Sequence, residues 1–163
     1  MIELTDEQIA RYFHRCFSRV DGLWFMKVEE KYGFDTALEI DHEVWKVMPK
    51  IQSRMLKPLL SKDHGLDALR EAFEIKLDLE GFTFETEPFE DGTGFSISIS
   101  ECPWNGLMVK AGREHLAERV GQTICNTEYA LWAQEFGDDI QFELAGKICG
   151  GNERCALKFT RKP

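Results

Sequence analysis

An α+β protein is predicted by three features of this chain. Apolar residues recur three or four apart as far as Gly81, they alternate with polar ones from Phe82 onward, and cysteines gather where the later elements begin or end. The architecture expected is a set of N-terminal helices packed on an antiparallel or mixed sheet, closed by a cysteine-rich C-terminal hairpin. At 163 residues the chain reads as a single domain, with residues 1–80 as a helical layer and 81–163 as an α+β part, and it is long enough to bury a core.

Thr5 followed by Gln8 forms a capping box, and Ile9, Tyr12, Phe13, Cys16, Phe17, Val20, Leu23 and Trp24 make a stripe that should face a core. The helix is expected to run to about Tyr32 and stop at Gly33. Cys16 lies within the stripe and reads as a small buried hydrophobe. Asp35 is placed to cap a second helix through Leu38, Val44, Trp45, Ile51, Met55 and Leu59, kinked or broken near Pro49, which removes a donor and clashes with the preceding turn. Leu66, Leu69, Phe73, Leu77 and Leu79 predict a third helix ending at Gly81.

Beyond Gly81, Phe82 and Phe84 alternate with Thr83 and Glu85. Glu90 to Gly94 makes a turn, and Phe95, Ile97 and Ile99 alternate with serines, which predicts a hairpin with one apolar face. Pro103 and Gly106 should then end its ladder. Two helical stretches follow, around Arg113 to Val120 and from about Thr127 to Phe136, with Cys125 just ahead of the second. The closing strands are Ile140 to Cys149 and Cys155 to Phe159, joined through Gly150 to Arg154.

The formal charge of -9, from 29 acidic against 20 basic residues, repels polyanions and predicts no nucleic-acid partner and no membrane association. An odd cysteine count, no apolar leader and no run of spanning length predict a cytoplasmic protein. Phosphate-loop and dinucleotide fingerprints are absent, because Gly92 and Gly94 lie in a hairpin turn.

Four of the five cysteines, Cys102, Cys125, Cys149 and Cys155, supply soft donors of the kind zinc takes at tetrahedral angles. An amide-rich helix start would favour thiolate at Cys125. The five residues between Cys149 and Cys155 exceed ordinary knuckle spacing, so spacing alone leaves open four separately buried, inert thiols. An iron–sulfur cluster ranks behind zinc, since the compact cysteine runs of ferredoxins are missing. For catalysis the candidates are Cys125 as nucleophile, with His115 or Glu128 moving protons. Set against this, His115 lies on an amphipathic helix where a surface role is the ordinary one. For ligand binding, Trp24, Glu29, Asp41 and Trp45 mix aromatic faces with acids and suit a small polar or cationic molecule. The same tryptophans would also serve a core.

The run from Cys125 through a helix to Cys149-Gly-Gly-Asn-Glu-Arg-Cys155-Ala-Leu-Lys-Phe resembles the end of the vinyl-reductase-type small-molecule-binding domain of aromatic-sensing bacterial regulators. The resemblance covers roughly Gly81 to Thr160. It implies zinc held by Cys125, Cys149 and Cys155, with Cys102 standing in for a glutamate that is Gly146 here. A second resemblance spans nearly the whole chain. The segment Asp21 to Glu30, the stretch Asp41 to Trp45, Cys102-Pro-Trp104 and the final hairpin look like an uncharacterised cytosolic family related to L-2-amino-thiazoline-4-carboxylic acid hydrolases. The functional expectation is a cytosolic small-molecule-binding domain with a cysteine-held zinc. A thiazoline-type hydrolase is the alternative, and a structural zinc domain that mediates homodimer contacts is a third.

Overall fold

The computed structural model describes residues 2–162. Its elements are α1 (Asp6–Tyr32), α2 (Phe34–Trp45), α3 (Met48–Leu56), α4 (Gly65–Glu80), β1 (Thr83–Pro88), β2 (Gly94–Glu101), α5 (Pro103–Lys110), α6 (Glu114–Phe136), β3 (Ile140–Gly146) and β4 (Cys155–Arg161). Short 3-10 turns sit at Lys57–Leu59 and Ile148–Gly150. Helices and one antiparallel sheet make this an α+β fold, with the sheet in the C-terminal half. No helix among the described residues is long and apolar enough to cross a membrane.

The chain divides into two compact units, Met1–Glu43 and Val44–Pro163. Helices α3 and α4 therefore belong with the sheet and not with α1. In the first unit, the Thr5 side chain accepts from the Gln8 amide while Gln8 reaches back to the Thr5 amide, so the capping box forms and α1 ends at Gly33. Its apolar stripe does not behave as expected. No residue of α1 is buried, and Tyr12, Phe13 and Trp24 are 63%, 64% and 69% exposed. Cys16 is exposed too, which corrects its reading as a buried hydrophobe. The reason is length: α2 has 12 residues against 27 in α1, so it spans less than half of that helix. Phe25 and Phe34 close the corner between them, ring centroids 5.7 Å apart. Asp35 does not cap α2 but occupies its first turn, where its charge still favours the helix dipole.

In the second unit the chain breaks between Trp45 and Met48, and Pro49 sits in the first turn of α3, where its missing N–H costs nothing. Gly81 ends α4 in the left-handed conformation at φ 79°, its amide capping the Asp78 and Leu77 carbonyls. The sheet order is β1-β2-β4-β3, every pair antiparallel. Alternation aims Phe95, Ile97, Ile99, Leu157 and Phe159 at one face, where α4 and α6 supply Leu69, Phe73, Leu77, Trp132 and Phe136. Phe73 is the hub: Trp132, Tyr129 and Phe159 surround it edge-on at 5.5, 5.3 and 5.2 Å. Burying one such ring contributes roughly 2–3 kcal/mol.

Two local expectations give way here. Pro103 does not merely end a strand; it opens α5 as the first helical residue after Cys102. The two helical stretches expected after Arg113 are one helix, α6, unbroken through Gly121 because that glycine is buried against the cysteine loop. Cys125 consequently lies in mid-helix, and the stabilisation expected for it at a helix start is not available.

Candidate functional site

Each of the four C-terminal thiols is delivered by a different piece of chain. Cys102 follows β2 as the N-cap of α5, and its sulfur accepts from the Asn105 amide at 3.5 Å. The helix-start thiol is thus Cys102 rather than Cys125. Cys155 opens β4 and pairs in register with Ile99, three residues before Cys102, which brings the two together at one end of the sheet. Its sulfur accepts from the Ile148 amide at 3.2 Å. Cys149 lies in the 3-10 turn Ile148–Gly150, not on a strand end.

Gly121 explains how that turn approaches α6. A Cβ at Gly121 would lie 2.6 Å from the Cys149 sulfur and 3.9 Å from the Cys125 sulfur. Residues 121 and 125 are one turn apart on the same helix face, so the missing side chain leaves the space into which Cys149 projects beside Cys125.

Electrostatics ties the four together. Burial pushes the Cys125 thiol well up, and Glu128, Cys102, Cys149 and Cys155 all add to the shift. Burial raises Cys102 to about 11, with Cys155 contributing and the Asn105 amide opposing. Cys149 rises through burial and then through Cys155, while Cys155 rises through burial against the Ile148 amide. All are therefore neutral thiols near pH 7 unless something replaces their protons. Among the described residues no group of three or more His, Cys, Asp or Glu side chains stands ready to hold a metal ion. The donor chemistry itself suits zinc: four soft sulfurs, two of them already accepting backbone N–H bonds that would stabilise thiolate.

Directly beside the thiols lies a buried ion triad. The Lys76 ammonium is 2.7 Å from Glu128 Oε1 and 3.1 Å from Glu80 Oε2, and the three side chains are 3%, 7% and 9% exposed. It also stands over the rings of Phe73, Phe82 and Tyr129 at 5.6, 5.2 and 5.3 Å. Burial alone would lower the Lys76 pKa, but Glu128 and Glu80 overcome it and hold the ammonium charged, above the ordinary lysine value. Glu80 is held further by Gln52 Nε2 at 3.1 Å and Trp104 Nε1 at 3.4 Å. Trp45 packs edge-on against Trp104 at 5.8 Å. Because Glu128 is three residues past Cys125, α6 carries both systems on adjoining positions, and Tyr129 is raised by burial and then by Cys125 and Glu128.

The other candidate residues are scattered. Glu128 belongs to the triad, where it faces an ammonium. His115 is exposed in the first turn of α6, ten residues and about 15 Å along the helix from Cys125. Trp24, Glu29 and Asp41 lie in the first unit, Trp24 exposed, whereas Trp45 is buried in the second. Lys76, Glu80, Gln52 and Gly121 were not singled out from sequence, and Trp104 entered only through the resemblance that Cys102-Pro-Trp104 helps to carry. Lys76 and Glu80 continue the Leu69–Phe73 spacing of α4, so a charged pair on an apolar stripe was the available signal.

Residues 6–153 match the model of a family of unknown function, DUF6125. The chain belongs to that family. The match runs from the start of α1 through Cys149, so it takes in both units and three of the four C-terminal thiols. No curated protein matches the chain. The DUF6125 description carries no activity or ligand, and the chemistry has to be argued from the thiols and the triad.

Proposed function

We propose that this DUF6125 member is a metal-binding protein, with zinc held by Cys102, Cys125, Cys149 and Cys155, and that the ion organises a binding or sensing unit. The observation that supports this reading is that Cys149 is lodged beside Cys125 at Gly121, while the register of Cys155 with Ile99 carries Cys155 toward Cys102 at one end of the sheet. Zinc would supply Lewis acidity sufficient to displace the thiol protons and lock the segments together. The chain's own part is to position the sulfurs. Asn105 and Ile148 amides donate to Cys102 and Cys155, Gly121 admits Cys149, and Cys102, Cys125 and Cys155 pack against the core that holds Tyr129.

A binding role suits this arrangement better than hydrolysis of a thiazoline-type ring. A tetrathiolate leaves no open metal position, Cys125 without metal is held as a thiol by burial, and the expected proton carriers are either in an ion pair, as Glu128 is, or exposed elsewhere, as His115 is. Small molecules remain the ligand class of this reading, with a cytoplasmic setting keeping the thiols reduced. Cobalt(II) titration of the reduced chain tests it. Intense sulfur-to-cobalt charge-transfer absorption saturating at about one equivalent, and displaced by zinc, is the expected result. Cobalt binding without thiolate bands would contradict it.

A further inference from the structure

The first unit carries an apolar surface that nothing within the unit covers. Ile9, Tyr12, Phe13, Val20, Leu23 and Trp24 fall within an arc of roughly 120° on α1. They are exposed by 39%, 63%, 64%, 55%, 50% and 69%. Together they expose roughly 700–800 Å² of surface, close to what each partner contributes to an interface of standard size. The unit ends at Glu43 and its only cysteine is a free thiol. Units this small usually require a metal, a disulfide or oligomerisation to hold together.

We propose that this face is covered by the same face of a second copy of the chain, α1 packing antiparallel on α1 to form a two-fold dimer. Self-association matches the surface in three ways. The buried area on each side is equal by symmetry and sufficient for a stable pair. Antiparallel identical helices set their dipoles in opposition. Overlaying the stripe head to tail places Ile9 against the partner's Trp24 and Phe13 against the partner's Val20, and it sets Asp6 opposite the Lys27–Glu30 ion pair of the partner at each end of the seam. The midpoint of the stripe then falls beside Cys16, which meets the partner's Cys16 near the two-fold axis. This pairing involves none of the C-terminal thiols and stands independently of the metal reading.

Sedimentation velocity of the full-length reduced chain across micromolar concentrations tests it, together with diamide oxidation. Expected are a species of twice the chain mass and a covalent dimer through Cys16, diamide taking up the two electrons and two protons released as the S–S bond forms. Cys16→Ser should abolish that crosslink and keep the dimer mass. The double variant Phe13→Glu, Val20→Glu should weaken association by more than about tenfold with circular dichroism unchanged. If that variant misfolds, the crosslink in the native chain still decides. A monomer throughout overturns the proposal, whether the face then proves to bind anionic vesicles or nothing. A covalent dimer that survives Cys16→Ser does so as well.

Discussion

Gly121 shows how much can depend on a missing atom. A methyl group there would meet the Cys149 sulfur at 2.6 Å, far inside contact distance, and the α6 backbone cannot retreat because Ile124 and Glu128 bury the next turn. Gly121→Ala should therefore expel Cys149 from the cluster. Its reaction with a thiol reagent under native conditions should quicken several-fold while helix content holds, and unchanged reactivity would mean that the loop was never lodged there. Asp21 makes a second residue-level case. Partial burial raises its pKa from an ordinary 3.8 to about 6, so the folded chain holds that proton more tightly than the unfolded one. The stability this lends is complete below about pH 4 and is lost as pH rises to about 6. Asp21→Asn should flatten that part of a melting-temperature profile, and a profile identical to that of the parent chain would exclude Asp21 as its source. Neither residue was legible from sequence: a glycine inside a helix reads as a breaker, and a carboxylate beside an apolar stripe reads as solvated.

Elements were easier to read than their partners. The Thr5–Gln8 box, the stop at Gly81 and the alternation of Phe95, Ile97 and Ile99 are local signals, and α1, α4 and β2 formed where those signals lay. What α1 faces and how α6 continues through Gly121 depend on tertiary packing, which periodicity does not carry. The triad is a product of such packing, since it joins Lys76 and Glu80 of α4 to Glu128 of α6 across the core. Removing its one cation should be severe. Lys76→Met leaves two buried carboxylates facing one another and should destabilise the chain by about 3–5 kcal/mol in denaturant unfolding. Replacing all three with apolar residues of similar volume should recover most of that loss, because a buried ion pair returns little beyond its desolvation cost. If the single and triple variants unfold alike, the carboxylates are not what makes Lys76 necessary.

For the whole molecule, the α+β class and the C-terminal clustering of cysteines were visible in sequence. The approach of Cys149 to Cys125, and of Cys155 to the end of β2, was not, because it rests on the register of Cys155 with Ile99 and on a turn lodged against α6. Burial raises the pKa of all four thiols, so a metal bound by them would have to displace their protons and its retention should fall steeply as pH drops. The most direct measurement is the zinc content of the chain purified without chelator, compared with Cys102→Ser, Cys125→Ser, Cys149→Ser and Cys155→Ser. About one zinc per native chain, with clear loss of metal and of melting temperature in every one of the four variants, is the predicted result. A native chain free of zinc that also takes none up when it is supplied, or zinc retained in all four variants, would contradict the account.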